Sequence, residues 1–147
     1  MTGLWLALGV LAGVFIASQA PVNAGLARAI GSPIAAAAIS FAAGGVVLVV
    51  AALVTSRGGA LLRWEAPQPW QYVAGGLLGA VYVTSAIVLT PRLGAAAVMG
   101  LAVTGQLLAG LVLDHYGLFG LAQNPVSPAR IAGALLLVAG VGLVRFG

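Results

Sequence analysis

Residues 33–55 read PIAAAAISFAAGGVVLVVAALVT, and not one of them is charged. A helix needs roughly 20 such residues to cross ~30 Å of hydrocarbon. A barrel strand would be about ten residues long and would alternate apolar with polar, which this stretch does not. It reads as a transmembrane helix. The pattern recurs on both sides: uncharged runs cover residues 1–27, 29–56, 66–91 and 93–113, and a largely apolar run covers 128–146 with an arginine near each end. Five spans are therefore expected, over about residues 2–30, 33–55, 69–89, 94–113 and 128–146, forming one all-α integral membrane domain across 1–147.

Composition excludes the main alternative. The chain is 62% hydrophobic, and its 22 glycines raise the apolar-plus-glycine share to about 77%, where a soluble domain sits near 45–50%. Six arginines, Glu65 and Asp114 are the only charges. So few cannot solvate a water-soluble surface of this size. The net charge of +4 comes from arginines 28, 57, 63, 92, 130 and 145, which are scattered singly and form no basic stripe. Headgroup contacts at helix ends explain them, and no nucleic-acid partner is expected. With no cysteine and one histidine, no metal site, thiol chemistry or cofactor is expected. No enzymatic constellation is present either.

The punctuation supports five spans. Ser32-Pro33, Pro69 and Ser127-Pro128 place caps or first-turn prolines at the starts of spans two, three and five. Thr90-Pro91-Arg92-Leu93-Gly94 reads as a tight connection, while Ser56–Gln68 and Asp114–Ser127 are longer ones. Trp5, Trp64, Trp70, Tyr72, Tyr116, Phe119 and Phe146 fall near span ends, as an interfacial belt requires. No Lys or Arg precedes the first apolar run and no soluble domain follows it, so it is expected to remain as a span and not as a cleaved signal. With an odd number of spans, Arg57, Arg63 and Arg130 lie on one face and Arg28, Arg92 and Arg145 on the other. The cytoplasmic excess of positive charge that normally fixes orientation is missing. Either a charge near a helix end is misassigned, or the chain inserts both ways and pairs with an inverted copy of itself.

Packing should rest on small residues, because lipid tails are as apolar as leucine. Gly9/Gly13, Gly44-Gly45, Gly75/Gly79, Gly105/Ala109 and Gly133, Gly140 and Gly142 supply one such face per span. Polar groups inside the spans are fewer. Pro21 interrupts the first span between Gln19 and Asn23, which are four apart and share a helix face. Buried amides need partners, so that face should point into protein or a watery cavity, either as a plain kink or as a broken-helix binding site. Ser40, Phe41, Tyr82 and Gln106 lie at comparable depth. Such neutral groups suit a small polar, zwitterionic or aromatic solute better than a bare ion. No acid, His or Lys sits in mid-span; Asp114 and His115 close span four and are either a solvated end, with Asp114 pairing Arg130, or the only coupling pair the chain offers.

The run Pro21-Val22-Asn23-Ala24-Gly25-Leu26-Ala27, then Gly31-Ser32-Pro33 and Ile39-Ser40-Phe41, resembles the opening of the YdcZ family, short bacterial membrane proteins of the drug/metabolite transporter superfamily. Gly75-Gly76-Leu77-Leu78-Gly79, Pro91-Arg92-Leu93-Gly94, Gly105-Gln106 and Asp114-His115-Tyr116-Gly117 extend the resemblance over about residues 3–145. It implies a five-helix half-transporter of the inner membrane. Larger members of the superfamily hold two inverted five-helix repeats, so a single repeat implies an antiparallel homodimer. Related small multidrug resistance proteins carry a first-helix glutamate that this chain lacks, which argues against proton/cation antiport by their mechanism.

The expectation is an alternating-access transporter of small organic solutes. Gln19, Asn23, Ser40, Phe41, Tyr82 and Gln106 would line its cavity and Pro21 would loosen the first helix. A membrane scaffold subunit and a narrow channel are the rival readings.

Overall fold

The structure is a computed structural model that describes residues 2–55 and 68–147. Arg57, Arg63, Trp64, Glu65 and nearly all of the connection expected over Ser56–Gln68 lie outside the described residues. Five helices follow in order: α1 (Thr2–Ile30), α2 (Pro33–Thr55), α3 (Gln71–Leu93), α4 (Ala95–Tyr116) and α5 (Pro128–Phe146). Each is long and apolar enough to cross a membrane, and the described residues contain no strand. Many large apolar side chains face outward, among them Val47 at 67%, Leu78 at 70% and Leu136 at 74% exposure. That is the inverse of a soluble protein and suits lipid as the solvent.

The starts of three helices follow from local chemistry. Ser32 caps α2, its Oγ accepting the Ala35 N–H at 3.2 Å while Pro33 fills the first position. Ser127 caps α5 through the Arg130 N–H at 3.3 Å, ahead of Pro128. At α3 the Gln68 N–H donates to Gln71 Oε1 at 2.7 Å across Pro69, the returning half of a capping box. Gly94 (φ 84°) and Gly117 (φ 61°) end α3 and α4 in backbone conformations that side-chain-bearing residues resist.

Two sequence expectations are corrected here. Pro21 does not break α1, which runs unbroken through it. A proline removes one N–H and frees one carbonyl, that of Ala17, and the turns on either side carry the helix across. The connection expected over Thr90–Gly94 shrinks to Gly94, because α3 continues through Pro91 to Leu93. There the Arg92 guanidinium donates to the Val88 carbonyl at 2.5 Å and supports the last turn.

The chain groups into two compact units, Met1–Arg92 and Leu93–Gly147. In the first, Ala27, Ala36, Ala37, Val83 and Ile87 form the buried core where α1, α2 and α3 meet, with Leu26 and Tyr82 packed against it. Alanine on two of the three helices lets the backbones come close. The ring of Phe41 lies over Gly79, where a Cβ would meet its Cζ at 3.1 Å. In the second unit α4 and α5 pack so closely that a Cβ on Gly100 would meet Val141 Cγ2 at 2.9 Å. The small-residue faces at Gly9/Gly13, Gly44-Gly45, Gly75 and Gly105 are a different matter: a Cβ on any of these would meet nothing within 4 Å in its own unit. Helix-to-helix packing uses Gly79 and Gly100 instead, where a side chain of a facing helix arrives.

Candidate functional site

Gln19 and Asn23 lie one turn apart on α1, and both turn toward α2. Asn23 Nδ2 donates to Ser40 Oγ at 3.2 Å, and Gln19 Nε2 reaches the same oxygen at 3.4 Å. Asn23 is 5% exposed, the one buried polar residue among those described. Burying an unpaired amide costs several kcal/mol in hydrocarbon, about 4–8 by cyclohexane transfer, so the Ser40 contact is what makes this position tenable. From α3, Tyr82 lines the same small void as the two amides, and its hydroxyl is buried with no hydrogen-bond partner among the described residues. Gln19, Asn23 and Tyr82 border a void of about 10 Å³, closed on the apolar side by Ile16, Ala20, Val83, Ala86 and Ile87. That is close to the volume needed to hold one water molecule.

Two amide N–H₂ groups thus converge on a single hydroxyl. The amide oxygens remain as acceptors, and the Ser40 and Tyr82 hydroxyls remain as donors. The site carries no ionisable acid or base other than a phenol, and no nucleophile with an activating partner. It offers hydrogen-bond donors and acceptors to a polar group.

Four of the residues expected from the sequence, Gln19, Asn23, Ser40 and Tyr82, are brought together in this way. Phe41 is not with them: its ring lies over Gly79 and is 42% exposed. Gln106 lies in the second unit, exposed and without a hydrogen bond there. Three other mid-span hydroxyls satisfy themselves on their own helices. Ser18 donates to the Val14 carbonyl, Ser85 to Val81 and Thr104 to Gly100, at 2.8, 2.8 and 2.9 Å. Back-bonding to the preceding turn removes them from the list of available groups.

Asp114 and His115 are engaged at the end of α4. Arg130 Nη2 pairs with Asp114 Oδ2, and Arg130 Nη1 donates to the Asn124 carbonyl at 2.8 Å. The Asn124 N–H donates to the Asp114 carbonyl at 2.7 Å, and Gln123 Nε2 to the His115 carbonyl at 3.0 Å. The Val126 N–H donates to His115 Nδ1 at 3.1 Å, so that nitrogen carries no proton and the ring hydrogen is on Nε2. The pairing with Arg130 could be anticipated from charge scarcity. The roles of Gln123, Asn124 and Val126 carry no signal in sequence, because backbone donors belong to every residue.

A family described as "Putative inner membrane exporter, YdcZ" matches residues 4–143. No curated protein and no solved structure matches the chain. The chain belongs to the YdcZ family, and with five helices able to cross a bilayer it is a multi-pass protein of the inner membrane.

Proposed function

We propose that this YdcZ-family chain is a membrane transporter, not an enzyme, and that it moves small neutral or zwitterionic organic solutes by alternating access. The observation that carries this is the polar knot inside the first unit: Asn23 buried, sharing Ser40 with Gln19, beside an unpartnered Tyr82 hydroxyl and a water-sized void. Hydrogen-bonding groups held at that depth are costly unless used. The family description supports export as the direction.

A void of about 10 Å³ admits no organic solute. The working site must therefore open in another conformation or be completed by a second copy. In this reading the chain is one five-helix repeat, and an inverted homodimer supplies the second half. Two features support the dimer: the sequence expectation that the arginines fall three and three on the two faces, and the glycine faces at Gly9/Gly13 and Gly44-Gly45, which are left open within their own unit. If transport is proton-coupled, Asp114 and His115 are the groups to carry it.

The test is a melting-temperature screen of the purified protein against amino acids, nucleosides, sugars and organic cations, followed by flux in vesicles. The expected result is a saturable solute whose stabilisation disappears in Gln19→Ala and Tyr82→Phe. Unchanged affinity and flux in both variants, or flux without saturation, would remove the proposed site.

A further inference from the structure

One turn beyond the amide knot, the C-terminal ends of α1 and α3 and the first turn of α2 enclose a half-open groove of about 440 Å³. Ile87 forms a wall of both this groove and the small void. The groove floor is apolar, built from Ala24, Ala27 and Ile87, and Arg28 and Arg92 both line it. Each arginine alone is explained as a cation in the last turn of its helix, where carbonyls accumulate negative charge. Two guanidiniums lining one groove are not explained that way, because like charges beside apolar walls repel.

No acid offsets them among the described residues. The one acidic side chain described is Asp114, and Arg130 holds it. Arg92 uses Nη1 on the Val88 carbonyl, which leaves most of its donors free. Arg28 folds back along its own helix, its Nη2 lying 3.7 Å from where a Cβ on Gly25 would be. Two forked donors lining a pocket this size, together with an apolar floor, match an amphiphilic oxyanion.

We infer that the Arg28–Arg92 groove binds a phosphate-type oxyanion, bridged between the two guanidiniums, with any attached apolar group on the Ala24, Ala27 and Ile87 floor. This site is distinct from the amide knot and does not depend on the solute reading. The same chemistry is offered by the phosphate of an anionic lipid and by a free phosphate.

The experiment has two arms on the full-length protein. In the lipid arm, the protein is reconstituted in phosphatidylcholine vesicles with a minor share of phosphatidylglycerol, and co-purifying lipid is measured by native mass spectrometry. In the free-anion arm, protein in phosphatidylcholine alone is titrated with inorganic phosphate against chloride at equal ionic strength, and the melting temperature is read. Binding in at least one arm is expected, falling about tenfold in Arg28→Gln and in Arg92→Gln, the loss expected for a charge-assisted contact. Arg145→Gln, which removes the same charge elsewhere, should bind as the wild type does.

Lipid enrichment without a phosphate response assigns the groove to a headgroup; a phosphate response assigns it to a free anion. Arg28→Lys and Arg92→Lys, which keep the charge and lose the fork, should fold and bind at an intermediate level. No enrichment and no phosphate response in the wild type overturns the proposal, whatever the variants do. So does equal binding by a folded double Gln variant.

Discussion

Arg130 holds Asp114 with one guanidinium nitrogen while the other holds the Asn124 carbonyl, so a single side chain ties the end of α4 to the loop and to the start of α5. Both partners are about two-thirds shielded, with side-chain exposures of 28% and 35%. This lies between a surface pair, worth about 0–1 kcal/mol, and a buried one, whose disruption costs about 3–5.

Removing either partner is therefore expected to lower unfolding stability by about 1–2 kcal/mol. Asp114→Ala, Arg130→Ala and the double variant, unfolded in mixed micelles, form the cycle that measures it. Strictly additive losses would mean that the ion pair contributes nothing beyond the bonds to Asn124.

The knot at Ser40 makes a second prediction. Ser40→Ala deletes the acceptor for both amides and leaves Asn23 buried without a partner. The cost expected for an unmet buried donor is about 1–3 kcal/mol. Asn23→Leu in the same background should recover part of it, since an apolar side chain needs no acceptor. A double variant no more stable than Ser40→Ala would contradict this account.

Gly100 and Val141 are expected to behave as a matched pair. A methyl at Gly100 would overlap a β-branched side chain that has little rotamer freedom. Gly100→Ala should destabilise by about 1–2 kcal/mol, and Val141→Ala should relieve it. At Gly105 the outcome differs: a Cβ there meets nothing in its own unit, so alanine gains helix propensity of up to about 1 kcal/mol. A large loss at Gly105 would instead reveal that a second chain packs there.

Sidedness supplies a fourth prediction. If the arginines divide evenly between the faces, as the span order implies, one more on a single face should bias insertion strongly. A lone cysteine introduced at Gln68, probed with impermeant reagent in native membranes, is expected to label from both sides. Adding an arginine beside it should shift labelling to one side. Labelling from one side before any arginine is added excludes dual insertion.

Much of this was readable in the amino-acid order. Span number, the caps at Ser32 and Ser127 and the Asp114–Arg130 pair follow from charge and hydroxyl positions, because in so apolar a chain each polar residue has few places to go. The Gln19/Asn23 face followed from their spacing of four. Their common acceptor did not: which turn of α2 faces them depends on how two nearly uniform helices rotate about their axes. The same degeneracy hides Gly100 among 22 glycines, of which the contact selects one by the arrival of Val141. Pro91 was read as a boundary because prolines usually are, but near a helix end the lost hydrogen bond costs little and Arg92 reinforces the turn.

The bonds that bind Asp114 and His115 to residues 123–130 are all short in sequence, so the α4–α5 pair is a hairpin whose closure requires little chain to be gathered. Local closure is fast closure. During biosynthesis such a hairpin can leave the insertion machinery as a preassembled two-rod module. The bonds that tie its turn all come from within the pair, so the two rods need no third helix to hold their join.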